Sequence, residues 1–126
     1  MIISIEGTVA HGKQLGRTLG YPTANVAVDR LYPLPQNGVY AALLHLEGDS
    51  RVLKCMLNQG KHPTVPDGAP TIEAHILDFA EDIYGARVRV DYMHFVRPEY
   101  NFGSLEKLVA QLDTDKEAVA GLLRDY

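Results

Sequence analysis

The chain has 126 residues, enough for one domain with its own hydrophobic core. Its net charge of −4 argues against nucleic acid or an anionic membrane as a partner, because both attract proteins with a basic face. A single cysteine excludes an internal disulfide, and no apolar run reaches the roughly 18 residues that a membrane-spanning helix needs. We therefore expect one domain, residues 1–126, that acts as a monomer in the cytoplasm.

Most of the chain shows a period of two in its apolar residues, which is typical of β-strands. In chain order, the predicted strands are IISIEGTV, TANVAV, GVYAALLHL, RVLKCMLN, TIEAHILDF and ARVRVDYMHFV. The turn-forming EGDS between the third and fourth strands predicts a hairpin. Cys55 lies in the apolar run RVLKCML, so we expect a buried structural thiol there.

From Ser104 onward the apolar period changes to that of a helix, and Ser104 itself suits the N-cap position. TDKE at 114–117 resembles a capping box, which would divide the helix in two. Asp115 falls on the apolar stripe, which indicates either such a break or a polar contact. The stripe consists of Leu105, Leu108, Val109, Leu112, Val119, Leu122 and Leu123. Because no helix separates the strands, we expect a small antiparallel barrel covered by one helix.

The stretch GTVAHGK at 7–13 matches the first half of a phosphate-binding P-loop. Gln14, however, stands where a P-loop needs a Ser or Thr hydroxyl for Mg²⁺. Gly16, Gly20 and Pro22 would also interrupt the helix that follows a P-loop. The pattern therefore argues against a P-loop and favours either an ordinary surface loop or an anion-binding loop of another kind.

The polar residues next to this loop are suited to binding a cation. Thr23 and Asn25 lie two residues apart on a predicted strand and therefore point to the same face. Their hard oxygen atoms are ligands that suit Mg²⁺ bound to nucleotide phosphates. The alternative is that both residues only cap the turn at the start of the strand.

Glu73 is a carboxylate in the middle of an apolar strand. Alternation places it with His75 on the face opposite Ile72, Ala74 and Ile76. If that face borders a pocket, Glu73 is a candidate general base, and otherwise it is a solvent-facing strand residue. Similarly, the segment from Arg97 to Glu106 is either a hinge between strand and helix or a wall of that pocket.

With these segments placed in order, the sequence resembles the riboflavin kinase (flavokinase) family, including the C-terminal domain of bacterial riboflavin kinase/FAD synthetase. The matching stretches are GTVAHGKQLGRTLGYPTAN, GVYAA, NQGKHPTV, TIEAHILDFAEDIYGARVRV and RPEYNFGSLEKLVAQLDTD. The resemblance implies a six-stranded antiparallel Greek-key β-barrel with a C-terminal α-helix. It also implies a phosphotransferase with an alcohol group as acceptor, which uses ATP to phosphorylate the ribityl 5′-hydroxyl of riboflavin and yields FMN and ADP.

The same resemblance implies roles for individual residues. Glu73 corresponds to the catalytic base, and Thr23 and Asn25 correspond to ligands of Mg²⁺, or another divalent cation, bound with ATP. The implied nucleotide-binding residues are Gly12, Lys13, Gly16, Arg17, Gly20, Tyr21, Pro22 and Thr23. The implied flavin-binding residues are Asn58, Gly60, Arg97, Glu99, Leu105, Glu106 and Val109.

Two further interpretations come from other functional classes. One is a flavin- or nucleotide-binding barrel without catalysis, and the other is a small barrel that binds protein partners. Under the kinase interpretation, we expect the long irregular segments at 10–22 and 58–70 to become ordered when ligands bind. Both a single-domain kinase and one domain of a bifunctional enzyme fit the resemblance.

Overall fold

The computed structural model describes residues 3–10, 23–29, 33–61, 70–100 and 102–126. Within these ranges the chain forms six β-strands followed by one α-helix. The elements are β1 (Ile3–Ala10), β2 (Ala24–Val28), β3 (Gly38–Leu46), β4 (Leu53–Gly60), β5 (Thr71–Ile76), β6 (Arg87–Pro98) and α1 (Leu105–Leu122).

The strands form a closed barrel in the order β1-β2-β5-β4-β3-β6, and every neighbouring pair is antiparallel. Strands β3, β4 and β5 are paired in sequence, and β6 returns to lie beside β3. This is a Greek-key connection, and the predicted fold is therefore confirmed. The hairpin predicted at EGDS is also confirmed, because β3 and β4 pair directly on either side of that turn.

Apolar side chains form two separate cores. The barrel interior is filled by Ile5, Val9, Val26, Tyr40, Ala42, Leu44, Cys55, Leu57, Ile72, Ala74, Ile76, Val88, Val90 and Tyr92. A second cluster joins the outer face of the barrel to α1 and contains Val39, Ala41, Leu43, Met56, Val119 and Leu123. Because β3 contributes to both clusters, its residues from Gly38 to Leu44 are all buried. The helix therefore covers the β3 side of the barrel and leaves the outer face of β5 to the polar residues described below.

The helix is continuous from Leu105 to Leu122, so the break predicted near Thr114 is not found. Asp115 remains helical and only 1% exposed because Arg97 pairs with it, which is the alternative polar contact. The predicted N-cap is confirmed, since the Ser104 hydroxyl accepts from the Lys107 backbone N–H at 3.2 Å. The predicted apolar stripe is wrong at Leu105 and Leu122, which are 57% and 42% exposed, whereas its last residue, Leu123, is fully buried. In the ranges that the structure describes, no helix is long and apolar enough to cross a membrane.

The single cysteine is buried in the barrel interior, as predicted. Burial raises the pKa of the Cys55 thiol to about 12, so the reactive thiolate is scarce at neutral pH. We expect an aromatic disulfide reagent at pH 8 to leave the folded protein unmodified and to titrate one thiol after unfolding in denaturant. Reaction of the folded protein at the rate of a free cysteine would contradict this assignment.

Candidate active site

Three polar residues lie side by side on adjacent strands. Glu73 in β5 is the cross-strand partner of Asn25 in β2 on one side and of Asn58 in β4 on the other. Directly opposed residues on antiparallel strands have Cβ atoms about 4.5–5.5 Å apart, so the three side chains form one row. Because Ile72 and Ala74 fill the interior, this row lies on the outer face of the barrel. We call Asn25, Glu73 and Asn58 the polar row.

Thr23 lies immediately before β2 and contacts the centre of this row. Its hydroxyl donates to Oε1 of Glu73 at 3.4 Å, and both side chains are half-buried. The structure therefore brings together Thr23, Asn25 and Glu73, the three residues for which the sequence predicts metal or catalytic roles. Glu73 is thus half-buried and hydrogen-bonded, and its role as general base stays a prediction.

The oxygen atoms at this position suit a hard cation. Among the described residues there is no cluster of three or more His, Cys, Asp or Glu side chains that would hold a metal by itself. Thr23, Asn25 and Glu73 instead offer a hydroxyl, an amide and a carboxylate, which is the set of donors that Mg²⁺ takes when phosphates supply the rest. The residues present therefore fit a nucleotide-bound Mg²⁺.

A second contact borders the polar row at the end of β4. The Glu99 carboxylate, which follows β6, accepts from the backbone N–H of Lys61 at 3.1 Å. A Cβ placed on Gly60 would lie 2.3 Å from Oε1 of Glu99, so glycine leaves the space that this carboxylate occupies. Asn58 lies two residues earlier on the same face of β4. Three of the predicted flavin-binding residues, Asn58, Gly60 and Glu99, are thus close to one another.

Arg97 joins β6 to the helix. Its Nε donates to both carboxylate oxygens of Asp115, at 3.0 and 2.9 Å, and its Nη2 donates to Oδ2 at 2.8 Å. Nη1 donates to the carbonyl oxygen of Pro98 at 3.1 Å, and the guanidinium carbon lies 5.2 Å from the ring centroid of Phe102. Arg97 is therefore occupied in docking α1, and its contact with a flavin stays a prediction.

The other predicted site residues fall into two groups. Leu105 and Glu106 are exposed on the first turn of α1 and Val109 is half-buried, so their flavin contacts also stay predictions. Outside the described residues lie Gly12, Lys13, Gly16, Arg17, Gly20, Tyr21 and Pro22, together with most of the segments 10–22 and 58–70. The described residues that flank these segments pair as Ala10 with Asn25 and as Gly60 with Thr71. Both connections therefore begin and end at the end of the barrel that carries the polar row.

A buried hydrogen-bond network behind the polar row escaped the sequence analysis. The Gln59 amide nitrogen donates to the Pro35 carbonyl at 2.8 Å and to Oδ1 of Asn37 at 3.1 Å. Its amide oxygen accepts from the Tyr92 hydroxyl at 2.8 Å, and burial raises the pKa of Tyr92 so that this proton is retained. The available signal was a glutamine at an inward position of β4, two residues after the buried Leu57.

Comparisons with known proteins agree with this geometry. The family model Flavokinase, described as riboflavin kinase, matches residues 2–123. The bifunctional riboflavin kinase/FMN adenylyltransferase of Listeria monocytogenes is 41% identical over 113 residues, which cover 89% of this chain and 35% of that protein. The chain thus spans about a third of the length of such curated relatives.

Solved structures show the same fold. Riboflavin kinase from Trypanosoma brucei superposes with a TM-score of 0.69 at 26% identity, covering 98% of this chain and 81% of that chain. A chain described as a macrolide-efflux protein from Streptococcus pneumoniae gives a TM-score of 0.84 at 33% identity, covering 98% of this chain and 38% of that one. Together, the family match across residues 2–123 and the barrel that carries the polar row show that the chain belongs to the riboflavin kinase family.

Proposed function

We propose that the chain transfers the γ-phosphoryl group of ATP to the ribityl 5′-hydroxyl of riboflavin, with Mg²⁺, and releases FMN and ADP. The observation that carries this proposal is the contact between Thr23 and Glu73 at the centre of the polar row. Both substrates are small molecules, so the reaction needs neither nucleic acid nor a membrane.

Phosphoryl transfer needs alignment of the reactants, neutralisation of charge and a group that accepts the hydroxyl proton. In the proposed reaction the ribityl oxygen bonds to the γ-phosphorus, the bond from that phosphorus to the bridging oxygen of ADP breaks, and Glu73 takes the proton. Thr23 directs its hydroxyl proton to Oε1 of Glu73 and thereby leaves its lone pairs for a cation. Mg²⁺, held by Thr23 and Asn25, would neutralise the phosphate charge.

The neighbouring surface suits a planar ring. Tyr100 and Leu105 are 71% and 57% exposed, and Tyr100 stacks edge-to-face with Phe102 at 4.8 Å between ring centroids. A flavin ring binds to apolar surface with a few polar contacts, which Asn58 and Glu99 would supply at the end of the barrel. This arrangement supports the proposed flavin site between the end of β6 and the start of α1.

The direct test is incubation with riboflavin, ATP and Mg²⁺, followed by chromatographic separation of the flavins and nucleotides. We expect FMN and ADP in equal amounts, and no FMN when a chelator removes Mg²⁺. Perturbed riboflavin fluorescence without FMN would favour the non-catalytic barrel. No effect on fluorescence and no FMN would favour the protein-binding barrel.

Thr23→Ala tests the proposed metal and nucleotide role. We expect KM for Mg·ATP to rise roughly tenfold, equivalent to about 1.4 kcal/mol, because a cation ligand and a contact to Glu73 are both lost. Thr8→Ala is a matched control, since Thr8, on β1, is half-buried like Thr23 and its hydroxyl accepts from Arg87 at 3.0 Å. Steady-state kinetics identical to those of the parent in a folded Thr23→Ala protein would remove Thr23 from the site.

A further inference from the structure

A continuous series of contacts connects the middle of α1 to the end of β4. It starts at Asp115, whose side chain is 2% exposed although it lies on a helix surface. Oδ1 of Asp115 accepts from Nε2 of Gln111 at 2.8 Å as well as from Arg97 Nε at 3.0 Å. The carboxylate therefore accepts hydrogen bonds from two side chains, which fixes its orientation. In this orientation it holds the Arg97 guanidinium in one position.

The next contact lies within β6. Arg97 Nη1 donates to the carbonyl oxygen of Pro98, which belongs to the peptide that joins Pro98 to Glu99. The guanidinium is planar, so the same group that Asp115 orients also orients this peptide. The proline ring restricts the backbone torsion at the same residue. The direction in which the chain leaves β6 is consequently tied to the position of Asp115.

The last contact reaches the site itself. The Glu99 carboxylate accepts a hydrogen bond from the backbone N–H of Lys61 at 3.1 Å. It occupies space that a side chain at position 60 would fill. Asn58 on β4 and its cross-strand partner Glu73 on β5, both in the polar row, lie two positions from the Gly60–Thr71 pair. A shift at the end of β6 would therefore move the carboxylate that borders the proposed flavin site.

We propose that Asp115 is a positioning residue for the flavin side of the active site. It acts through Arg97, whose orientation brings the Glu99 carboxylate within hydrogen-bond distance of the Lys61 backbone N–H. This inference rests on the proposed function, because it concerns how riboflavin is held. It assigns to the centre of α1 a role beyond docking the helix on the barrel.

The kinetic test compares Asp115→Asn with Val119→Ala. Val119 is fully buried on the same face of α1 and packs in the outer cluster, but it does not belong to the series of contacts. For Asp115→Asn we expect the riboflavin KM to rise roughly five- to tenfold with kcat lowered less than twofold, a coupling of the size common between interacting residues. Val119→Ala should lower the melting temperature without this rise. An equal rise in both variants would show that Asp115 only docks the helix.

A second readout does not depend on activity. The chemical shift of the Lys61 amide in a ¹⁵N–¹H spectrum reports the hydrogen bond from this amide to Glu99. The Glu99→Gln variant shows in which direction this chemical shift changes when the carboxylate is lost. We expect Asp115→Asn to move the resonance in that direction and Val119→Ala to leave it in place. Gln111→Met, a milder change at a half-buried position, should move it by less in the same direction. An unmoved Lys61 resonance in Asp115→Asn would overturn the proposal.

The series of contacts also predicts non-additivity, since energetic coupling is the physical warrant for such a connection. Combining Asp115→Asn with Glu99→Gln should raise the riboflavin KM little beyond the larger single effect. Combining Asp115→Asn with Asp49→Asn should give additive effects, because Asp49 pairs with Arg51 beside the distant β3–β4 turn. Additivity in the first pair would refute the connection.

Failure of the proposed function and failure of this inference can be told apart. If the parent protein makes no FMN, the proposed function fails, and the Lys61 resonance still decides whether Asp115 positions Glu99.

Discussion

Replacement of Glu73 by glutamine is expected to lower kcat by about 10²–10⁴-fold, the usual contribution of a general base. The variant keeps the size of the side chain and an acceptor for the Thr23 hydroxyl but cannot take the ribityl proton. The affinities for riboflavin and ATP should change little, because the lost interaction acts in the transition state. Steady-state kinetics with both substrates, together with riboflavin binding followed by fluorescence, measure the two effects separately.

Glu6→Gln is the matched control for this experiment. Glu6 is exposed on the outer face of β1, away from the polar row, so the same chemical change there should leave kcat unaltered. A folded Glu73→Gln protein with near-normal kcat would defeat the assignment of the base. His75 would then be the next residue to test, because it lies two positions along the same face of β5 and is 8% exposed.

The second large effect concerns stability rather than catalysis. Gln59→Leu should lower the free energy of unfolding by about 2–4 kcal/mol, because it removes three hydrogen bonds and leaves the buried Tyr92 hydroxyl without its acceptor. For a chain of this size such a loss corresponds to roughly 10 °C in the melting temperature. Denaturant titration and thermal unfolding, each followed by circular dichroism, provide the measurement.

A second substitution separates the two causes of this loss. Tyr92→Phe removes the hydroxyl that Gln59→Leu leaves unsatisfied, so the double variant should be more stable than the sum of the single effects predicts. Strict additivity would show that the hydroxyl is not stranded in Gln59→Leu. A melting temperature unchanged by Gln59→Leu would mean that the network does not hold the segment at 33–37 against the barrel.

The period of the apolar residues was sufficient to predict the six strands and the C-terminal helix, because burial on one face is a local property of each element. The order of the strands in the barrel could not be predicted in this way, since β2 pairs with β5 although β3 and β4 lie between them in the chain. Thr23 is 50 residues from Glu73, and only the pairing register shows that they touch. The resemblance to a family predicts their roles, and the barrel brings the two residues into contact.

Polar contacts between residues distant in the chain were the features of the structure least predictable from the sequence. Asp115 was recognisable as a polar residue on an apolar stripe, but its partner Arg97 lies 18 residues away on another element. Gln59 has the same difficulty, because its partners Pro35 and Tyr92 lie 24 and 33 residues away. Such pairs follow from how separate elements pack in the folded chain rather than from any local pattern, so a single sequence does not identify them.

The closure of the barrel has a consequence for how the chain is made and folded. Ser4 in β1 bonds to Asp91 in β6, 87 residues later, and β6 also pairs with β3. A chain emerging from the ribosome can form the local β3–β4–β5 hairpins early, but its first strand has no partner on the β6 side until nearly the whole domain has been synthesised. Until then β1 and β3 each present an open edge, to which another chain can add. We infer that the interval before β6 docks is the stage of biogenesis at which this protein is most exposed to misassembly.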